Sequence, residues 1–421
     1  MHECGDGSQF RRGWSRRGSR RPSTRKRRDR ILWTRCQTLG MRVLLLATTR
    51  LGGDHPPLLS VARGLRDRGH TVTLLGDADL ETVASDLGLR VLPSDKRYDI
   101  SVAYREARAA TEGLTPGELG ERIADRLADW SANLVPGLTE VLTAEPFDVV
   151  VVSVFFATAA ASACGARRIR WAVVRSSFYQ GPGSARPLEA DYGPVTLPAI
   201  RRLRQPALAA ADLVLHPTVI EFEPPLSGIP SHHHFVGPLL WEAETSAPSY
   251  LDEAGDPWVL VNVSTVAQAD LAIVDTSLAA LRRHPVRILV TLGAGRDPKD
   301  LADLPPNARV ERCVPHTCVL QRASLVVSRA GFGIFTKAVY NAVPMILVPW
   351  GSDQAGVAFR ACRLGAARAL PFENIDRATM ARAIDSVLGS ASYTTAAREA
   401  SVVLRARDGV GSASSLIEGL V

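Results

Sequence analysis

Between Ser324 and Gly365 the chain reads SLVVSRAGFGIFTKAVYNAVPMILVPWGSDQAGVAFRACRLG, and most of its legible chemistry lies there. Leu325, Val326 and Val327 form an apolar run ending in Arg329-Ala330-Gly331-Phe332-Gly333. Gly331 and Gly333 let backbone N–H groups approach an anion closely, and a helix expected from about Ile334 aims its positive end at the same point. A second run, Met345 to Val348, stops at Pro349 and leads through Trp350-Gly351-Ser352 into Asp353-Gln354, a pair suited to sugar hydroxyls. Both turns follow the C-terminal ends of expected strands, where open α/β sheets bind ligands. Simpler roles compete. Gly-x-Gly can merely close a strand–helix connection, Arg329 can form a surface ion pair, and Asp353-Gln354 can cap the helix expected from Ala355.

A second chemical cluster is Leu51-Gly52-Gly53-Asp54-His55-Pro56-Pro57-Leu58. Asp54 is a candidate general base, with His55 in reserve. An Asp titrates at about 3.9 in water, so this role requires burial. The competing role is an N-cap on a helix opened by Pro56. Asp77-Ala78-Asp79 follows a strand and opens a helix, so it reads as a cap rather than a metal site. His232, His233 and His234 are consecutive and cannot all face one metal from a strand. Gly293-Ala294-Gly295 has no acidic partner about 20 residues on, which argues against a dinucleotide site.

These residues need a scaffold, and the apolar pattern supplies one. Met41–Leu46, Thr71–Leu75, Leu89–Leu92, Asp148–Ser153, Trp171–Arg175 and Ala211–His216 read as strands, with helices over Leu58–Arg68, Leu80–Leu87 and Thr115–Ala144, the last broken near Pro136. Residues 179–198 are expected to be an irregular loop. A second series has strands at Trp258–Val263, Arg287–Leu292 and Arg309–Val314, then the Ser324–Gly365 unit, then helices over Ala378–Leu388 and Thr394–Arg407. The alternation predicts two parallel sheets covered on both faces. The division expected is a basic extension over 1–40, an N-terminal acceptor-binding domain over 41–241, a polar linker over 242–256 and a C-terminal donor-binding domain over 257–421.

The Ser324–Gly365 unit resembles the nucleotide-sugar signature of the family 1 glycosyltransferases, which runs His-Gly-Gly-x-Gly-Thr-x-x-Glu-Ala, Gly-Val-Pro, strand, Pro, Asp-Gln. Val343-Pro344, Pro349, Asp353 and Gln354 match it, and the Gly52–Leu58 loop resembles the family's Gly-Asp-x-x-Pro variant. The resemblance implies a GT-B fold, two Rossmann-like domains facing across a cleft. It also implies an inverting transfer from a nucleoside-diphosphate sugar to a small hydroxylated acceptor, a secondary-metabolite aglycone, with neither metal nor cofactor. Carried over by position, Asp54 becomes the base, Ser264 and Thr265 touch phosphate, and Val314 and His316 border the nucleobase. Arg329 stands where the family has His and would hold the departing diphosphate. Lys337 stands where the family has a ribose-binding Glu, which favours a dTDP over a UDP donor. Phe155, Phe156, Phe178 and Tyr179 are candidates for the acceptor wall.

Length and charge narrow the alternatives. At 421 residues, two domains are the default expectation. Residues 1–40 hold 12 of the 50 Lys and Arg against three acidic residues, so the rest of the chain is near neutral and its charge does not argue for nucleic acid. Met41 opens the first strand, and the basic extension reads as dispensable. Six scattered cysteines without a CxxC pair suit a reduced cytoplasmic protein, monomeric or homodimeric, and no run is long enough to span a membrane. A catalytically silent GT-B protein that binds nucleotide or a partner, and a nucleotide-sugar epimerase, are the rival readings.

Overall fold

Runs of Val and Leu without alternation belong in strands buried on both faces, and the computed structural model places them so. It describes residues 40–93, 96–108, 116–193, 198–243, 245–263, 271–293, 296–301 and 304–421. The expectations for residues 1–39, Ser264, Thr265 and Ala294-Gly295 fall outside these ranges.

The first half is built from β1 (Arg42–Ala47), α1 (His55–Asp67), β2 (Thr71–Gly76), α2 (Leu80–Val83), β3 (Arg90–Val91), α3 (Ser101–Arg108), α4 (Pro116–Ala144), β4 (Val149–Ser153), α5 (Ala157–Arg167), β5 (Arg170–Val174), α6 (Arg186–Glu189), α7 (Pro198–Ala210), β6 (Leu213–His216) and β7 (His233–Phe235). Its strands form one parallel sheet in the order β3-β2-β1-β4-β5-β6-β7. Leu45 pairs with Leu74 on one side and Val151 on the other. The second half contains β8 (Trp258–Asn262), α8 (Leu271–Leu281), β9 (Arg287–Thr291), β10 (Ala308–Glu311), α9 (His316–Leu320), β11 (Ala323–Ser328), α10 (Phe332–Tyr340), β12 (Met345–Leu347), α11 (Gln354–Arg363), β13 (Ala367–Ala369), α12 (Arg377–Leu388), α13 (Ala391–Arg405) and α14 (Gly409–Glu418). Its parallel sheet runs β10-β9-β8-β11-β12-β13. Each sheet carries a buried apolar cluster on either face.

In each sheet the winding reverses once, between β1 and β4 and between β8 and β11. Crossover helices diverge there and leave a crevice at the strand C-termini. The loop after β1 and the turn after β11 therefore occupy the two places where this architecture holds ligands.

Three local expectations change. Helix α4 passes through Pro136 unbroken, because Leu134, Leu138 and Leu142 bury almost completely in the first core. Their burial offsets a proline penalty of about 3 kcal/mol. The 179–198 loop contains α6 and a following single turn, Ala190–Tyr192. Of the three consecutive histidines, His233 and His234 belong to the edge strand β7 and His232 precedes it; His233 Nδ1 lies 3.0 Å from His216 Nε2.

The 257–421 segment also does not stay with the second sheet. Ala413 and Ile417 of α14 bury in the first sheet's core beside Leu58, Ala62 and Leu65. Gly64 permits this approach, since a Cβ there would lie 2.3 Å from Val410 Cγ1. Arg68 Nη1 donates to Glu418 Oε2 at 2.7 Å across the same contact.

Candidate active site

Asp54 ends a single 3-10 turn, Gly52–Asp54, that joins the loop after β1 to α1. It lies at the N-cap position but makes no side-chain capping bond, so the cap role is not formed. Only 3 % of the residue is exposed, and neither carboxylate oxygen has a well-formed hydrogen bond. Burial pushes its pKa up to about 7, while the nearby Ser153 hydroxyl, the Arg204 cation and the Thr48 amide offset part of that rise. The loop is held from below by Asp77. Its Oδ2 accepts from Thr48 Oγ1 at 2.9 Å and Thr49 N at 2.7 Å, and its Oδ1 accepts from Thr49 Oγ1 at 2.6 Å. Asp77 thus anchors the site loop, a role its sequence context disguised as a helix cap.

His55 follows at the start of α1, edge-on to Trp241 with ring centres 6.1 Å apart. Burial lowers its pKa to about 4, helped by the Lys337 cation and opposed by Asp77. The imidazole is therefore neutral at pH 7, with Nδ1 lacking a hydrogen-bond partner.

The second sheet meets this loop directly. A Cβ built on Gly53 would stand 3.5 Å from Gly333 Cα, so the two glycines let the backbones touch. Gly331 is the N-cap of α10, whose first N–H groups lead the positive end of the helix to that contact. Ala330 holds the preceding turn at φ +59°, where a Cβ costs about 1–2 kcal/mol. Local strain of this kind persists where the surroundings over-determine the turn.

Arg329 is not the surface residue that an exposed ion pair would require. It is 2 % exposed, and its guanidinium carbon lies 4.8 Å from the Phe372 ring centre and 5.4 Å from that of Trp350. It thus packs beside Trp350, at the start of the turn that leads to Asp353. Lys337 is paired with Glu242, a residue of the 242–256 segment. Glu242 also accepts from the His316 and Thr317 amides at 2.9 and 3.0 Å, capping α9. A carboxylate thus returns to the Lys337 position from another part of the chain. His316 Nε2 stands 3.3 Å from Thr291 Oγ1, and burial together with Lys337 lowers its pKa to about 4. Val314 buries its side chain in the core beneath.

Asp353 makes no capping bond for α11. Its carboxylate faces the first domain: burial raises its pKa, opposed by the Ser177 hydroxyl and by the Arg175 and Arg204 cations. The carbonyl oxygen of Gln354 instead pins its own turn, accepting from Trp350 N at 2.8 Å and Gly351 N at 3.2 Å.

Of the four aromatic acceptor candidates, Phe155 alone keeps a partly exposed ring, at the end of β4. Phe156 packs on Trp130, Phe178 on Phe332 and Phe335, and Tyr179 on His216 and His233, so these three are core residues. The sequence reading had missed a buried ion triad between the halves. Arg360 of α11 donates from Nε to Glu223 at 2.7 Å and pairs with Glu189 of α6, with all three side chains at most 2 % exposed. Arg204, stacked on Phe155, was also missed.

Residues 275–407 match the family model described as Erythromycin biosynthesis protein CIII-like, C-terminal domain. The chain is 27 % identical to 4'-demethylrebeccamycin synthase of Lentzea aerocolonigenes, over 91 % of this chain and all of that one. It is 26 % identical to demethyllactenocin mycarosyltransferase of Streptomyces fradiae, over 74 % and 72 %. The chain is a glycosyltransferase of GT-B fold, similar to enzymes of natural-product biosynthesis. Among solved structures, the spinosyn rhamnosyltransferase SpnG complexed with thymidine diphosphate superposes with a TM-score of 0.67 at 19 % identity, covering 90 % of this glycosyltransferase and all of that chain. No described helix of the glycosyltransferase is long and apolar enough to cross a membrane.

Proposed function

We propose that this glycosyltransferase moves a sugar from a dTDP- or UDP-sugar to a hydroxyl of a small acceptor, a secondary-metabolite aglycone, with inversion and without a metal ion. The buried Asp54, with its pKa near neutrality, carries the reading. A base with that pKa is half ionised at pH 7 and matched to taking a proton from a hydroxyl as it attacks. The attack forms the acceptor O–C1 bond and breaks the bond from C1 to the donor's phosphate oxygen. The nucleoside diphosphate leaves with the electron pair, and Asp54 keeps the proton. One displacement at C1 inverts its configuration. Charge developing on the leaving diphosphate would be met by the first N–H groups of α10 beside Gly331 and Gly333, which are fixed before the reaction starts. Asp353 would hold sugar hydroxyls.

One observation favours a dTDP donor within this reading: the spinosyn rhamnosyltransferase of similar fold was solved with thymidine diphosphate. The uncompensated burial of Asp54 favours a working enzyme over a silent nucleotide-binding protein, because a carboxylate kept at that cost has no evident structural role. The free thiols of Cys164, Cys313, Cys318 and Cys362 suit the cytoplasm.

Release of nucleoside diphosphate from dTDP- and UDP-sugars with pooled aglycones tests the assignment. Turnover should persist in EDTA and yield a product of inverted anomeric configuration. Turnover that requires an added divalent cation, or a product of retained configuration, refutes the mechanism. No release with any pair refutes the transfer reading.

A further inference from the structure

Beyond the C-terminal end of β4, the middle strand of the first sheet, Arg204 has no polar partner among the described residues. On α7, it lays its guanidinium carbon 4.5 Å from the centre of the Phe155 ring and is half-buried. Among the described residues it forms no hydrogen bond and no ion pair, although its charge acts on both Asp54 and Asp353. Its helix is fixed, since Ala199, Ile200, Ala207 and Leu208 are buried in the first core. Arg175, at the end of β5, adds a second cation there, with a buried Nε that has no partner.

A guanidinium stacked on a ring has its plane set while the N–H groups at its edge stay available. None of the Arg204 nitrogens is both buried and unpartnered, so the donors reach solvent and stay open to a ligand, and a carboxylate matches their fork with two parallel hydrogen bonds. The reading above already gives the donor's diphosphate a place at the start of α10, where Gly333 meets Gly53. Phe155 and Arg204 belong to the first domain, where the reading above puts the acceptor. Its neighbours explain why no internal partner has claimed Arg204: Asp54 must be free to receive a proton, and Asp353 faces Ser177.

We propose that Arg204 determines acceptor specificity, selecting a flat hydroxylated acceptor that carries a carboxylate and holding that carboxylate while Asp54 takes the hydroxyl proton. This rests on the transfer reading above and names the substrate class within it.

The test compares 6-hydroxy-2-naphthoate with its neutral counterpart 6-hydroxy-2-naphthalenemethanol, in the full-length enzyme. Binding is measured by calorimetry, and nucleoside-diphosphate release is measured with the same donor panel. The native enzyme should prefer the acid by ten- to a hundredfold, about 1.4–2.7 kcal/mol. Arg204→Gln should bring the ratio of the two to within threefold. Arg204→Lys, which keeps the charge but loses the fork, should fall between. Equal or absent binding of the two probes by the native enzyme overturns the proposal. So does an equal loss on both probes in the Gln variant, which would assign Arg204 to the donor or to orienting Asp54. If the binding preference and its collapse are seen but no probe turns over with any donor, acid selection stands and the transfer reading fails.

Discussion

Replacing Asp54 by Asn should stabilise the protein while abolishing its chemistry, and the stabilisation should grow with pH. The Asp54 carboxyl titrates at 3.8 when exposed and at about 7 when folded, because burial disfavours its charge. Folding therefore favours the protonated form, and stability is lost as pH rises from the unfolded value through the folded one. At pH 8 nearly the whole shift counts, about three units at about 1.4 kcal/mol each, or about 4 kcal/mol. At pH 5, only about one unit above the unfolded value, the cost is about 2 kcal/mol. Asn has nearly the same shape and never ionises, so the gap between variant and native protein should widen by about 2–3 kcal/mol from pH 5 to pH 8. Burying the amide adds a constant to both ends and leaves that difference intact. Thermal denaturation of both proteins at the two pH values reads it as several degrees in Tm. An Asp acting only as an N-cap behaves differently: Asn caps equally well and would give no such widening, while the Ala variant would lose about 0.5–2 kcal/mol. A gap that stays constant, or native protein more stable at pH 8, refutes the raised pKa. The same group sets the rate: kcat/KM should climb with a midpoint near pH 7, and Asp54→Asn should lose about 10²–10⁴-fold with donor binding retained.

Arg360→Met strands two buried carboxylates, Glu189 and Glu223, and should cost about 3–5 kcal/mol by denaturant titration; a loss under about 1 kcal/mol would show the triad to be inert. Lys337→Met and Glu242→Gln, separately and together, should reveal a coupling of about 1 kcal/mol or more in a double-mutant cycle, and strict additivity would argue that the pair contributes nothing. Ala342, at φ +58° just past α10, carries about 1–2 kcal/mol of strain that Gly relieves. A looser unfolded chain takes back about 0.4–1 kcal/mol. Ala342→Gly should therefore shift the denaturation midpoint upward by roughly 0.5–1 kcal/mol, and a downward shift would contradict the strain argument.

Strand runs and turn punctuation made both sheets legible, because Val43–Leu46, Val149–Val152 and Leu325–Val327 can bury only between layers of helix. Position along a motif also pointed to Asp54, Asp353 and the α10 N-terminus. Facing direction was not legible. Phe155 and Phe156 are adjacent and chemically identical, yet one ring stays partly exposed and the other fills the core against Trp130. Partners distant in sequence were hidden for the same reason. Lys337 looked like a lost ribose contact until Glu242, 95 residues earlier, proved to supply the carboxylate beside it. Asp77 resembled a cap because the Thr48 and Thr49 hydroxyls it holds lie nearly 30 residues away. Helix α14 returns to the first sheet through a Gly64–Val410 contact that no local pattern announces.

The residues missed in the sequence explain how two half-sites become one. Helix α11 begins at the Asp353-Gln354 turn, whose Asp faces Ser177 and Arg175 of the first domain. Two turns further along, its Arg360 grips Glu223 and Glu189 in the interior. Glu223 in turn accepts from the Tyr179 amide at 2.9 Å, and the Arg360 guanidinium stacks on Phe178 at 4.5 Å. The segment joining β5 to Tyr179 therefore touches α11 at both of these places. Moving the donor turn relative to the acceptor side would require breaking a buried triad that carries one more negative than positive charge, at several kcal/mol. The Gly53–Gly333 contact ties the loop that carries Asp54 directly to the start of α10. A base positioned in this way need not be strong; it needs to be dry, ionised half the time and already in place.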